Sequence, residues 1–203
     1  MKRVARWGVL VAIAASGCAA PGEAPVDKPA ATARASGPAT LKVPALKNPG
    51  FELEASRGAR CASGWSCTMH SDPNSFRFFA DDTDGRRSFC VEPVKREPWA
   101  LVTQSSFEPA LRGTRLRFSI DLRLAGVAGA GAGPWAQVQR SGERAQTHQK
   151  LIKGSAPWAT HVVEFDVPAN AESVEYGVTI RGTGRACFDD ARLEIVQAGK
   201  NPV

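Results

Sequence analysis

Between Thr114 and Leu124 apolar and polar residues alternate without a break: Leu116, Phe118, Ile120, Leu122 and Leu124 against Arg115, Arg117, Ser119, Asp121 and Arg123. Period two is the repeat of a pleated strand with one face on a core and the other in water, whereas a helix would scatter these apolar residues around its circumference. Weaker versions recur in Val163–Val167, in Tyr176, Val178 and Ile180, and in a face of Cys187, Asp189, Ala191, Leu193 and Ile195. Shorter candidates are Phe51–Glu54, Phe76–Ala80, Ser88–Pro93, Ala100–Ser105 and Trp135–Arg140. Turn residues separate them at Asp84-Gly85, Arg112-Gly113, Ser141-Gly142 and Gly182-Thr183-Gly184. No later stretch sustains a 3.6-residue period, so roughly nine short strands predict an all-β, two-sheet sandwich.

The first residues are of another kind. Met1–Arg6 is basic and Trp7–Ala15 is an apolar stretch of nine residues, too short to cross about 30 Å of hydrocarbon. Ala15-Ser16-Gly17 then precedes Cys18. This resembles the lipobox of bacterial lipoproteins, which implies a signal peptide over 1–17 and lipidation of Cys18. Ala15 stands where that family more often has Leu. Several acyl chains give lasting attachment, because each buried methylene contributes about 0.8 kcal/mol and a single chain is marginal. Ala19, in place of the Asp that retains such proteins at the inner membrane, implies the outer membrane. An ordinary secretory signal, with Cys18 a spare thiol, is the alternative. Residues 18–43, rich in Ala and Pro and nearly free of groups to bury, read as a tether. The folded domain is expected over 44–197, with a tail at 198–203.

Of the formal charge of +6, Lys2, Arg3 and Arg6 contribute half. The remaining mild excess is no footprint for nucleic acid, which needs clustered Lys and Arg.

Several motifs of the body occur in a recognisable order. Asn48-Pro49-Gly50-Phe51-Glu52, Gly64-Trp65 and Phe188-Asp189-Asp190-Ala191-Arg192-Leu193 resemble the opening strand, the following Gly-Trp and the closing strand of carbohydrate-binding modules with the galactose-binding-like jelly roll. Gly85–Ser88, Gln104, Trp158, Val163 and Phe165 fall between them in the expected sequence. Arg112–Arg117 and Ile152–Ser155 are closer to an accessory jelly-roll domain of bacterial secreted or regulatory proteins. The resemblance implies that the ends of the domain meet and that Trp65 and Trp158 pack in the core. It also implies a structural Ca²⁺ where Glu52 and Asp189 approach, with the Asp81, Asp82 and Asp84 loop completing the shell. Calcium takes six to eight oxygens, and a carboxylate on the core side needs a compensating cation. Backbone hydrogen bonds or an arginine partner for Asp189 are the alternative. Sugar-binding members often line a cleft with several aromatics, and few are available here.

With Cys18 lipidated, Cys61, Cys67, Cys90 and Cys187 form an even set in an exported chain, which points to two disulfides among three possible pairings. Cys61 and Cys67 are near enough to staple one loop across Trp65, which leaves Cys90 with Cys187. No short CxxC spacing supports zinc, and His70, His148 and His161 are scattered.

The polar face of the Thr114–Leu124 strand presents Arg115, Arg117, Asp121 and Arg123. With Trp135–Arg140 as its neighbour, Trp135, Gln137 and Gln139 share that face, an aromatic platform beside amides and guanidinium groups suited to a sugar or an anionic glycan. A plain solvated face, with Trp135 half covered by a loop, is the other reading. Trp99, after Glu97-Pro98, is a candidate ligand contact or rim residue. No GxSxG elbow, HExxH or Walker loop occurs, and Gly129-Ala-Gly131-Ala-Gly133 reads as a loop joining two strands rather than a dinucleotide fingerprint. The expectation is a non-catalytic envelope lipoprotein binding a glycan or another envelope component; a protein-interaction or structural module without sugar affinity is the alternative.

Overall fold

The computed structural model describes residues 43–53, 60–83 and 85–197. Its strands are β1 (Ser66–Met69), β2 (Phe76–Asp81), β3 (Ser88–Pro93), β4 (Ala100–Ser106), β5 (Arg115–Arg140), β6 (Glu143–Gln149), β7 (Ile152–Asp166) and β8 (Ala171–Gln197). One 3₁₀ turn, Pro109–Leu111, is the only helical element among the described residues.

Two strands organise the rest. β5 and β8 pair antiparallel along their whole length, from Arg115 opposite Gln197 to Arg140 opposite Ala171. Residues 115–124 of β5 and 186–197 of β8 form the middle of a front sheet ordered β7-β5-β8-β3-β2. Residues 132–140 and 171–180 form the middle of a back sheet ordered β6-β5-β8-β4-β1. The layers face each other: Phe118 of the front sheet lies 5.7 Å from Tyr176 of the back, and Phe165 lies 5.8 Å from His148. Leu116, Phe118, Ile120 and Leu122 are completely buried, each contributing about 1.5–3 kcal/mol. The alternation at Thr114–Leu124 is therefore the front sheet's inner face.

The glycine-rich segments correct the expected order. Gly129–Gly133 is not a loop, and Gly182-Thr183-Gly184 is not a turn separating two strands; the two run side by side, with Gly129 opposite Gly182 and Gly131 opposite Arg181. Register slips here bend both strands from one sheet into the other. Glycine is required by contact: Gly129 has φ +87°, a Cβ on it would lie 2.9 Å from the Gly182 Cα, and a Cβ on Gly182 would collide with the Ala128 carbonyl. Trp135–Arg140 is thus the far half of the strand that begins at Arg115, not its neighbour.

A second correction lies in the last strand. Asp190 has φ +49°, and between the Ser119–Arg192 and Asp121–Asp189 pairs the register slips, so β8 carries an extra residue opposite Ile120. One extra residue inverts the faces. Ala186 and Phe188 point inward before the bulge, and Ala191, Leu193 and Ile195 after it. Cys187 and Asp189 consequently belong to the outer side, although they are 1% and 5% exposed.

The ends of the domain meet. Phe51 is not in a strand; it plugs the core, 4.7 Å from Trp65 and 5.2 Å from Phe188, and the Ala191 amide donates to the Pro49 carbonyl at 2.9 Å. Asn48 holds this turn by accepting from the Leu53 amide at 3.0 Å and donating to the Ser63 carbonyl at 3.1 Å, while Trp65 Nε1 donates to the Asn48 carbonyl. Among the described residues there are two disulfides, Cys61–Cys67 and Cys90–Cys187, the second joining directly opposed residues of β3 and β8.

Candidate functional site

The seven residues expected on one binding face fall on two. Arg115, Arg117, Asp121 and Arg123 lie on the outer side of the front sheet, whereas Trp135, Gln137 and Gln139 lie on the outer side of the back sheet. The bend in β5 separates them: residues 125–133 continue the strand into the other sheet instead of looping back to set its two halves side by side.

On the front sheet the charged residues neutralise one another. Arg115 pairs with Glu164 and Asp166, Arg117 with Glu164, Arg123 with Asp81, and Glu92 with both Arg77 and Arg185. The guanidinium groups of Arg117 and Arg115 hold the Glu164 carboxyl below the usual range. Arg86 sits at the centre. Its Nε is 2.5 Å from Asp189 Oδ2, and its Nη2 is 2.9 Å from Asp121 and 3.0 Å from Asp190. Burial disfavours the Arg86 charge, but Asp189 and Asp121 outweigh it and raise its pKa. Burial likewise works against the Asp121 carboxylate, and the hydrogen bonds from Thr160 and Arg86 prevail and lower its pKa. Trp158, expected in the core, lies on this outer side under Arg86 and Arg123, their guanidinium carbons 4.5 and 5.3 Å from its ring.

This arrangement does not fit the calcium shell drawn on Glu52, Asp189 and Asp84. One Asp189 oxygen accepts from Arg86 and the other from the Asp190 amide at 2.7 Å. Arginine thus supplies the compensating charge that calcium was invoked to provide. Glu52 is exposed and lines a hollow with Arg86 and Arg87, and Asp84 lies outside the described residues. Asp81 approaches Cys90 Sγ and Cys187 Sγ, at 3.8 and 4.0 Å, but those sulfurs are bonded to each other and are not thiolate ligands.

The back sheet presents a different surface. Pairing across β6, β5, β8 and β4 sets Gln149, Trp135, Gly177 and Thr103 in one row, and Thr147, Gln137, Glu175 and Ser105 in the next. A third row holds Gly133, Thr179 and Leu101. A trough of about 340 Å³ lies over these rows, walled by Trp99, Leu101, Trp135, Gln137, Thr147, Gln149, Glu175, Thr179 and Arg181. Trp99 is half-buried and braced edge-on by His70 at 5.9 Å, whose amide donates to the Trp99 carbonyl. Trp135 also lines the trough, though only 7% exposed. Gln137 Nε2 donates to Thr147 Oγ1 at 3.0 Å and Gln137 Oε1 accepts from Gln139 Nε2 at 3.2 Å, while Thr103 Oγ1 donates to Glu175 Oε1 at 2.6 Å.

Indole rings beside amides, hydroxyls and one carboxylate suit a ligand with flat apolar faces and a rim of hydroxyl groups. Trp135, Gln137 and Trp99 were legible as candidates. Thr147, Gln149, Glu175, Thr179 and Arg181 were missed. Gln149 and Thr147 belong to β6, whose Glu-Arg-Ala-Gln-Thr-His-Gln sequence has no apolar alternation. Glu175, Thr179 and Arg181 were signalled only as the outward partners of Val174, Val178 and Ile180.

No family model and no curated protein matches the chain. Solved structures do. A putative sugar binding protein from Bacteroides thetaiotaomicron VPI-5482 is 11% identical, with 74% of this chain and 98% of that one covered and a TM-score of 0.53. The CBM22-1–GH10 modules of Clostridium thermocellum endo-1,4-beta-D-xylanase 10B, complexed with xylohexaose, are 16% identical, covering 73% of this chain and 28% of that one, with a TM-score of 0.51. The CBM22-1 xylan-binding domain from Paenibacillus barcinonensis Xyn10C is 14% identical, with 73% and 92% covered and a TM-score of 0.50. At such identities the likeness establishes the fold: a jelly roll of the kind found in carbohydrate-binding modules.

Proposed function

We propose that this domain is a non-catalytic glycan-binding module that holds a polysaccharide chain along the outer side of its back sheet. It is carried at the cell envelope by lipidated Cys18, in the outer membrane where the cell has two. The observation that carries the reading is the convergence of Trp99, Trp135, Gln137 and Gln149 on one open trough. The fold shared with modules described as sugar- and xylan-binding supports it.

Affinity electrophoresis through gels cast with a panel of soluble polysaccharides tests the binding. At least one polysaccharide is expected to retard the wild type, and Trp99→Ala to abolish the retardation with the thermal melt unchanged. A folded wild type that no polysaccharide retards, and that cross-links to a single protein instead, would overturn the reading in favour of a protein-interaction module. For the anchor, the wild type is expected in the detergent phase of a Triton X-114 partition and Cys18→Ala in the aqueous phase. Equal partition of the two refutes lipidation.

A further inference from the structure

Arg181 occupies an unusual position in the trough. It lines the back-sheet trough and also a second cavity of about 790 Å³ walled by the β3–β4 connection, Pro93–Pro98, and by Gly129, Ala130 and Gly182–Gly184. Pro98 walls the second cavity and the adjoining Trp99 walls the first, so a chain leaving the trough at this end passes over Arg181. Opposite it in β5 stands Gly131 and next to it Gly182, neither with a side chain to cover the guanidinium.

The charge of Arg181 is uncommitted. Among the described residues it makes no ion pair and no side-chain hydrogen bond, although it is half-buried. The guanidinium groups of Arg77, Arg115, Arg117, Arg123 and Arg185 on the opposite sheet, and of Arg86 in the β2–β3 connection beside it, all hold carboxylates. The acids near Arg181 are engaged elsewhere. Glu175 accepts from Thr103, and Glu97 accepts from the Ser71 hydroxyl at 2.7 Å and from the Ser71 and Asp72 amides. Arg96 extends positive charge along the second cavity, whereas Lys95 there is paired with Asp72 at 2.9 Å. A partly desolvated guanidinium with five unspent donors matches a carboxylate in a two-pronged geometry.

We infer that the polysaccharide held in this trough is a polyuronate, a carboxylate of which pairs with Arg181 where the two cavities join. The inference rests on the glycan-binding reading and adds the chemical class of the glycan. Titration calorimetry at 0.15 M NaCl tests it, with polygalacturonate and alginate as ligands, each also in a form whose carboxyl groups have been reduced to primary alcohols. The wild type is expected to bind at least one polyuronate about tenfold or more tighter than its reduced form. Arg181→Gln should lower that affinity by about tenfold, in the range of a charge-assisted hydrogen bond, and leave the reduced form within about twofold. Arg181→Lys, which keeps the charge but not the fork, should fall between.

Equal wild-type affinity for native and reduced polymers overturns the uronate assignment. If Gln137→Ala weakens both equally in that case, the glycan-binding reading stands without it. Dextran sulfate bound as tightly as the polyuronates would also overturn the assignment, by showing general polyanion attraction. Wild-type binding to none of the four polymers overturns it too, and the polysaccharide panel then decides the broader reading independently.

Discussion

The two outer sides of this sandwich are built on the same two strands and have opposite character. Arginines and acids crowd the front side and close on one another, with Arg86 held by Asp121, Asp189 and Asp190, and Glu92 shared by Arg77 and Arg185. The back side has fewer charges, two indoles, several amides and hydroxyls, and an arginine with no partner among the described residues. A ligand approaching the front would have to displace intramolecular partners and desolvate charges already satisfied. On the back it meets groups whose hydrogen-bonding capacity is partly unspent. Density of charge on a strand is therefore a poor measure of the hydrogen-bonding capacity it offers a ligand; what matters is which polar groups their neighbours have left free.

The largest expected effect separates the sheets mechanically. Cys90 and Cys187 are 97 residues apart and join front-sheet strands only. Replacing both by Ser should cost about 4–5 kcal/mol through loop entropy, read from guanidinium denaturation. Replacing Cys61 and Cys67, six residues apart, should cost about 2 kcal/mol. A smaller loss from the long-range pair than from the local one would contradict the view that it closes the front sheet.

Arg86→Met comes next. It strands Asp189, 5% exposed, without its cation, and an uncompensated buried charge costs about 3–5 kcal/mol. Here about 3 kcal/mol is expected, because the Arg86 side chain is 29% exposed. Glycan affinity of the folded fraction should stay within about twofold. Lost affinity at unchanged stability would mean that the front, not the back, is the binding side.

Acid should loosen the molecule in two stages. Burial lowers the pKa of His148 and of His161, and their Nε2 atoms are buried without a hydrogen-bond partner. Each prefers to be neutral when folded, so its contribution is complete above the unfolded pKa of about 6.5 and is lost as pH falls through the lower folded value. The second stage belongs to the front side. Asp121, held by Thr160 and Arg86, and Glu92, held by Arg185 and Arg77, have lowered pKa values despite burial, and their contribution is lost below about pH 4. At the alkaline end, burial pushes Tyr176 up to about 12, so its contribution is complete below about pH 10 and lost as pH rises through the folded value. Melting temperature against pH should show both acid steps, and His148→Asn with His161→Asn should remove only the first.

Much of this architecture could be read from residues alone. Period two located the inner face at Leu116–Leu124, strands near 76–81, 88–93 and 100–106 lie within a residue of their alternation, and cysteine spacing gave both bridges. Three features were hidden, each for a physical reason. Glycines that look like a loop are a paired ribbon, because at Gly129 and Gly182 backbone approaches backbone too closely for any side chain. A single extra residue at Asp190 inverts the faces on either side of it, so one apparent stripe from Cys187 to Ile195 is two half-stripes pointing opposite ways. β6 is a polar edge strand with no apolar rhythm, and it supplies Thr147 and Gln149. Without the ribbon the sequence placed Arg117 beside Trp135, which the fold sets on different sheets.

That separation gives the mildest and most discriminating test. Arg117 pairs with Glu164, 31% exposed, at 2.7 Å, and exposed ion pairs contribute about 0–1 kcal/mol. Arg117→Ala should therefore change stability by less than about 1 kcal/mol and leave glycan affinity unaltered. Gln137→Ala removes one amide from the trough, whose Nε2 already donates to Thr147. It should also cost less than about 1 kcal/mol in stability, yet weaken glycan binding about three- to tenfold, the value of a typical hydrogen bond. The two substitutions are matched in size of structural effect and differ only in the sheet they occupy. Equal affinities for both would place the ligand on neither outer side, whereas a loss in Arg117→Ala alone would return it to the charged one.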